Sequence, residues 1–135
     1  MDIRQAASVV SSPAFPLISE GMNYLVQEGL HCGSDHILHE TDQAIWAEED
    51  GEVLGVIVFR CEVAASSIQI VLSYVEPSSR RNGLYTRLMN ALVKRAEEER
   101  IVSILSTVST VNASMLKLMQ KMGRGPTAVL YELKV

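Results

Sequence analysis

Apolar and polar positions along the chain follow first a helical period and then the pattern of strands. From 17 to 30, apolar side chains recur at three- and four-residue spacing, which predicts a helix. Three apolar runs follow, at 43–48, 53–61 and 68–75, and the turn between the first two carries Asp50-Gly51. Asp-Gly between apolar runs is a strong hairpin signal, so these runs predict an antiparallel meander.

The second half of the chain returns to a helical period. Leu84, Leu88, Leu92 and Ala96 recur every fourth residue, which predicts a helix over 83–100. With a strand before it and a strand after it, this helix would make a strand–helix–strand crossover. A pair of parallel strands requires such a connection.

Shorter elements are predicted at the ends of the chain. A short first strand is expected near Ile3, and a short strand over 101–106 follows the long helix. The side-chain oxygen of Asn112 can cap a further helix, which Gly123 ends. A last strand is expected over 127–133. We therefore predict one α+β domain over 1–135 with a mostly antiparallel sheet.

Composition and charge narrow the function classes. The 135 residues are 47% hydrophobic and 21% charged, as in globular proteins, and the net charge of −4 argues against nucleic-acid or anionic-membrane partners. Two cysteines, Cys32 and Cys61, form no disulfide framework. No apolar run approaches the roughly 20 residues of a membrane span, and no signal peptide is visible. We expect a cytoplasmic protein.

The turn before the long helix concentrates positive charge and backbone freedom. Arg80 and Arg81 precede Asn82 and Gly83, and the helix begins there. Such a turn presents unpaired N–H groups at the positive end of a helix, and a glycine allows an anion to approach the backbone closely. Arginines suit phosphate oxygens. The turn therefore predicts a pyrophosphate cradle, although a plain solvated helix start would have the same composition.

This turn resembles a family signature. The pattern Val75-x-Pro77-x-x-Arg80-x-x-Gly83-x-Tyr85 is similar to that of the GNAT superfamily of N-acyltransferases. There, V-x-P closes a strand and Q/R-x-x-G-x-G/A grips the pyrophosphate of acetyl-CoA. The resemblance implies a GNAT-like α+β fold, a mixed, mostly antiparallel central sheet flanked by helices, with a splayed parallel strand pair.

A second segment also resembles the family. Asn112, followed by a helix and Gly123, is similar to the family's N-x-x-A-x-x-x-Y-x-x-x-G-F segment. The order of elements fits from the helix at 17–30 to the last strand. The resemblance implies acetyl-CoA as cosubstrate, no metal, and direct attack by a primary amine of a small molecule or protein on the thioester.

The resemblance also implies which residues bind acetyl-CoA. Backbone groups of 73–75 would pair with pantetheine like an added strand and leave an N–H for the oxyanion. The implied cofactor-binding residues are Ser73, Tyr74, Val75, Arg80, Arg81, Asn82, Gly83, Leu84, Tyr85, Thr86 and Asn112.

Four departures from the family pattern stand out. Tyr85 replaces a glycine or alanine, so its side chain must point away from the phosphates, and Arg124 replaces a phenylalanine. Met119 replaces the tyrosine that protonates the departing thiolate in many members, and a thioether cannot donate a proton. The tail after Gly123 has room for one strand where the family has two, so a homodimer could complete the sheet edge.

The catalytic base and acid stay open in the sequence. An amine with a pKa of about 10 needs a base at neutral pH, and the strand before the turn offers no carboxylate. Tyr74, or a hydroxyl within 106–110, could replace the missing acid. Four side chains lie in the segment that shapes the acceptor pocket in the family: Glu20, His31, His39 and Glu40.

Two further interpretations compete with these predictions. The ligand types of His31, Cys32, His36 and His39 suit zinc, but their spacing matches no closed site, and a solvated loop is the simpler interpretation. A CoA-binding regulatory or interaction module without catalysis is the alternative to an N-acetyltransferase. Release of free thiol in the presence of an amine separates the two functions.

Overall fold

Five strands form a single sheet in which the order in space is the order in the chain. The computed structural model describes residues 1–134, and within it β1 to β4 are antiparallel neighbours while β5 lies parallel to β4. The strands are β1 (Asp2–Ala6), β2 (Gln43–Glu49), β3 (Glu52–Glu62), β4 (Ser67–Val75) and β5 (Ser103–Ser106). This topology confirms the predicted mostly antiparallel sheet with one parallel pair.

Helices cover both faces of the sheet. The helices are α1 (Phe15–Gln27), α2 (Leu84–Glu98) and α3 (Ala113–Lys121). They confirm the predicted helices with ends displaced by a few residues, and Pro16 is accommodated in the first turn of α1, where its missing N–H is not needed. No helix within residues 1–134 combines the length and the apolarity that crossing a membrane requires.

The sheet separates two apolar cores. One core lies under α1 and includes Ile18, Trp46, Val58, Leu72 and Tyr74. The other lies under α2 and includes Ile57, Phe59, Ile70, Leu88 and Leu92. Each central strand therefore contributes side chains alternately to both faces, as strands buried on both sides do.

A β-bulge in β4 reverses this alternation. Val58 pairs with Leu72 and Phe59 pairs with Ile70, so Val71 is left out of the register with β3. Ile70 therefore faces α2 while Leu72 faces α1, although residues two apart in a regular strand share a face.

The pairing between β4 and β5 ends just before this bulge. Its last pair is Ile70 with Ser106, whereas β4 continues to Val75. Residues 71–75 therefore have no strand partner on the β5 side within the described chain. This confirms the predicted splayed parallel pair: all four residues of β5 are paired, whereas β4 continues unpaired to Val75.

The strand predicted over 127–133 is wrong. No regular element is formed after α3 in the described residues, and Val129, Leu130, Tyr131 and Leu133 are 71–89% exposed. Alternating apolar residues favour a strand only where a neighbouring strand and a core surface receive them. None of the five strands in the described chain pairs with this segment, although β5 leaves one edge of the sheet free.

The segment between α1 and β2, residues 31–42, is tied to β3 through a buried carboxylate. Asp42 is fully buried and accepts from Arg60 at both oxygens, with N–O distances of 2.7 and 2.9 Å. The backbone N–H of His39 donates to the same carboxylate at 2.8 Å, and Arg60 also donates to the carbonyl of Ile37. These bonds give the connecting segment a defined position over the sheet.

Removal of this carboxylate is expected to destabilise the protein strongly. Asp42→Ala leaves the largely buried guanidinium of Arg60 without its partner, which should lower the free energy of unfolding by about 3–5 kcal/mol. Urea denaturation measures the change. Asp2→Ala is the matched control, because this carboxylate is 70% exposed and its pairing with Arg4 should contribute less than about 1 kcal/mol. Equal losses for the two variants would contradict the anchoring role.

Candidate functional site

The turn between β4 and α2 presents a group of unpaired backbone N–H donors. Arg81 and Gly83 both have left-handed backbone conformations, with φ of 66° and 74°. The first backbone N–H after Gly83 that has an acceptor is that of Arg87, which donates to the carbonyl of Gly83 at 3.1 Å. Within residues 1–134, the N–H groups of 83–86 have no acceptor, and no side chain caps α2.

This turn is open to an incoming anion. Arg81, Asn82 and Gly83 are exposed, and a Cβ placed on Gly83 would meet no atom within 4 Å. The 15-residue helix α2 adds the positive end of its dipole at the same point. The arrangement can bind phosphate oxygens through backbone donors.

The two arginines of the turn differ in their contacts. Arg80 donates from Nε to the carbonyl of Val75 at 2.9 Å, and its guanidinium lies 5.3 Å from the ring centre of Tyr74 and 5.6 Å from that of Tyr24. Arg80 therefore fixes the end of β4 against α1. The exposed Arg81 is the one left to supply charge at the turn.

A narrow cleft runs along the part of β4 that β5 leaves unpaired. Its solvent-accessible volume is about 50 Å³, room for a few water molecules at about 10–15 Å³ of such volume each. The cleft brings together residues from both halves of the chain. Among those that line it are Leu30, His36, Ser73, Tyr85, Ser106 and Met119.

Tyr85 turns its ring into this cleft and away from the open turn. Its hydroxyl lies near the side chains of Ser73 and Arg124. Burial raises the pKa of Tyr85, and the nearby guanidinium of Arg124 opposes that shift. The phenol is therefore protonated at neutral pH. Ser73 faces α2 because of the bulge at Val71, and this orientation allows the contact.

A partly buried cation, Arg124, lies beside the end of β5. Arg124 donates from Nη2 to Ser106 Oγ at 2.9 Å, whereas its Nη1 is buried and has no partner in the described chain. Ser106 Oγ is also 4.0 Å from the sulfur of the buried Met119. The cleft thus has a hydroxyl next to Met119, and this hydroxyl accepts from the guanidinium of Arg124.

Asn112 also lies at the cleft, at the start of α3. Its Oδ1 accepts from the N–H of Met115 at 3.3 Å, which confirms the predicted cap. Asn112 and Met115 both line the cleft. The capping bond orients α3 so that its buried face, including Met119, closes one side of the cleft.

His36 is a cleft residue that the sequence identified only as one of four zinc-ligand types. Its ring is buried, and Nδ1 lies 2.8 Å from the carbonyl oxygen of Val71. Nothing in the sequence pattern indicated this contact, because it joins residues 35 positions apart in the chain. No group of three or more histidine, cysteine, aspartate or glutamate side chains in residues 1–134 is arranged to hold a metal ion.

The Tyr74 side chain packs on the opposite side of β4 from α2. The ring contacts α1 so closely that a Cβ on Gly21 would lie 2.8 Å from the Cβ of Tyr74. Burial raises the pKa of Tyr74, and the carboxylate of Glu20 raises it further. Tyr74 is not among the cleft residues, so its hydroxyl is not placed to act as the substitute acid considered for it.

The remaining acceptor-segment candidates lie outside the cleft. Glu20, His31, His39 and Glu40 are all exposed, and none of them lines the cleft. His31 reaches it only indirectly, because its ring lies 5.4 Å from that of His36.

Solved structures share this fold. A ribosomal-protein-alanine N-acetyltransferase from Brucella melitensis biovar Abortus 2308 is 18% identical with a TM-score of 0.72, and the match covers 100% of both chains. An aminoglycoside acetyltransferase from an uncultured soil metagenomic sample is 19% identical with a TM-score of 0.70, covering 99% of this chain and 97% of that one.

A longer protein contains the same fold as one part. N-acetylglutamate synthase from Neisseria gonorrhoeae, complexed with coenzyme A and N-acetyl-glutamate, is 18% identical with a TM-score of 0.60. The match covers 87% of this chain and 28% of that one. No curated protein sequence matched the chain.

A family model identifies the chain itself. The model of the acetyltransferase (GNAT) family matches residues 12–123, which include the turn, the splayed strands and α3. The match extends over well more than half of the chain and agrees with the fold of the solved structures. The chain belongs to the GNAT family of acetyltransferases.

Proposed function

We propose that the protein transfers an acetyl group from acetyl-CoA to a primary amine by direct attack within a ternary complex. One observation carries the proposal: the unpaired N–H groups of 83–86 lie at the end of the β4 segment that has no partner on the β5 side. The unpaired strand edge leads directly into a turn that is rich in N–H donors. This order suits a ligand in which a pyrophosphate is joined to an amide-containing arm.

The residues of the turn and of β4 fit acetyl-CoA in complementary ways. Backbone donors of 83–86 and the Arg81 side chain would hold the pyrophosphate, with Asn82 and Thr86 beside them. The backbone of Ser73–Val75 would pair with the pantetheine arm and supply an N–H to the oxyanion. The 50 Å³ cleft must widen for that arm, and Tyr85 is the bulkiest side chain of the turn that faces it.

The reaction would proceed in one addition and one elimination. The amine nitrogen forms a bond to the thioester carbon, the carbon–sulfur bond breaks, and the electron pair leaves on sulfur while the nitrogen loses a proton. Met119 cannot protonate the thiolate. The Ser106 hydroxyl, held by Arg124, can instead donate a hydrogen bond, and the guanidinium can stabilise the negative charge.

The acceptor is proposed only as an amine. Two solved structures with this fold are named for different acceptors, a ribosomal-protein alanine and an aminoglycoside. An amino group is common to both, so a small-molecule or protein amine is the class we infer. Both cysteines of the described chain are free, which fits the cytoplasm, and a homodimer covering the β5 edge stays a prediction.

A second candidate function is a CoA-binding module with weak or no catalysis. The apolar side chain of Met119 and the narrow cleft favour it, because neither supports fast turnover. A screen of amines, polyamines, amino acids and peptide N-termini with acetyl-CoA separates the two functions by release of free thiol. We expect release with at least one amine. Binding of CoA without release for every acceptor would support the binding module.

A negative side chain in the turn should abolish binding of CoA. Gly83→Asp places a carboxylate among the donors that would hold the pyrophosphate, so isothermal titration should detect no binding. Gly125→Asp adds the same charge at an exposed glycine of the tail, where a Cβ meets no atom within 4 Å, and should bind CoA like the unmodified protein. Unchanged affinity in the Gly83 variant would remove the turn from the site.

Restoring a proton donor on α3 should accelerate the reaction. Met119→Tyr should raise kcat by about tenfold, equivalent to about 1.4 kcal/mol of barrier, because a donor aimed at developing negative charge acts mainly on the transition state. The affinity for acetyl-CoA should change little. Steady-state kinetics and a melting curve test this together. A less stable variant with no gain in rate would show that Met119 only fills space.

A further inference from the structure

Three contacts hold residues 31–42 against the cleft. Asp42 binds Arg60 on β3, and Asp35 accepts from the hydroxyl of Thr107 at 2.9 Å across the cleft. The third contact is the hydrogen bond between His36 Nδ1 and the carbonyl oxygen of Val71 at 2.8 Å. These contacts fix a buried imidazole at the edge of β4, beside the residues that would receive the thioester.

The partner of Nδ1 decides which nitrogen of His36 carries the proton. A carbonyl oxygen can only accept, so Nδ1 must carry the hydrogen, and in the neutral ring Nε2 is left with its lone pair. Nε2 makes no hydrogen bond within residues 1–134. The fully buried polar side-chain atoms without a partner in those residues are Trp46 Nε1 and Arg124 Nη1. Nε2 of His36 is therefore not fully buried, and this residue is among those that line the cleft.

Other groups near the imidazole are less suited to accept a proton from a substrate. The carboxylate of Asp35 is engaged by Thr107, and the ring of His31 is exposed on the far side of His36. The apolar Leu25 of α1 lines the cleft, and so do Thr107 and Ser109 of the loop after β5, which carry hydroxyl groups. Neutral hydroxyls are poor bases at neutral pH.

We propose that His36 is the general base that takes the proton from the acceptor amine. The proposal rests on the acetyltransferase function proposed above and names a residue that carries it out. As the nitrogen–carbon bond forms, the amine nitrogen becomes positively charged, and Nε2 removes one of its protons. The carbon–sulfur bond then breaks with its electron pair on sulfur, and the imidazolium releases its proton to water.

Substitution of His36 by asparagine separates its proposed role as a base from its structural hydrogen bond to Val71. In His36→Asn the side-chain N–H can still donate to the Val71 carbonyl from a position close to that of Nδ1, but no basic nitrogen remains. With the best amine from the acceptor screen, kcat should fall by about 100-fold, the usual contribution of a general base. His39→Asn is the matched control in the same segment and should leave kcat unchanged, because that side chain is exposed.

An acceptor amine that needs little help from a base can distinguish the loss of a catalytic base from a structural disturbance of the site. Methoxyamine is almost entirely unprotonated at neutral pH, and its adduct is acidic enough to lose a proton to water. With methoxyamine at high concentration, the His36→Asn variant should therefore retain most of the unmodified protein's rate of thiol release. A loss as large as that with the ordinary amine, or no loss with either, would overturn the assignment.

A spectroscopic measurement tests the same assignment without turnover. In ¹⁵N NMR spectra of the imidazole, His36 should show the Nδ1–H tautomer, and added acetyl-CoA should shift the Nε2 resonance. The Nε2–H tautomer would overturn the proposal even if the enzyme is active. If the unmodified protein releases no thiol with any amine, the acetyltransferase function fails together with the base role. If it does release thiol and His36→Asn is equally fast, only the base role fails.

Discussion

The bulge at Val71 is the constraint on which the arrangement of the site depends. One extra residue in β4 changes which face every later side chain of that strand occupies. Leu72 and Tyr74 therefore pack under α1, and Ser73 faces α2, where it meets Tyr85. The same irregularity leaves the carbonyl of Val71 free to accept from His36. A regular strand would place none of these groups where they are.

The second consequence of the bulge lies along the edge of the sheet. Pairing with β5 ends at Ile70, and the unpaired part of β4 leads directly to the donor-rich turn. The partly buried guanidinium of Arg124 and the phenol of Tyr85 lie near this edge in place of the small and apolar residues of the family pattern. Under the proposed function, these groups would supply the polar chemistry beside the leaving group that the apolar Met119 cannot.

The sequence predicted those features that depend on local pattern. The long helix, the hairpin at Asp50-Gly51, the cap at Asn112 and the turn at Gly83 are all where the spacing of residues indicated. Each of these features is determined by residues that lie close to it in the sequence. The splayed pair followed from the resemblance to the family, and the absence of full pairing beyond Ile70 agrees with it.

Features that depend on distant partners were not predictable in the same way. The alternating apolar residues of 127–133 suggested a strand, but no strand of the described chain pairs with them. His36 received no catalytic interpretation, because the contact that holds its ring is with a residue 35 positions later in the chain. The hydroxyl of Tyr74 was considered as an acid because the sequence does not reveal which face of β4 it occupies.

A crystal structure of the complex with acetyl-CoA is the most direct test of this account. The pyrophosphate should lie on the N–H groups of 83–86, the pantetheine arm should follow β4 from Ser73 to Val75, and Nε2 of His36 should face the thioester. Displacement of the Tyr85 ring from its position in the cleft should accompany binding. A pyrophosphate bound elsewhere, or a β4 edge closed by β5 beyond Ile70, would contradict the account.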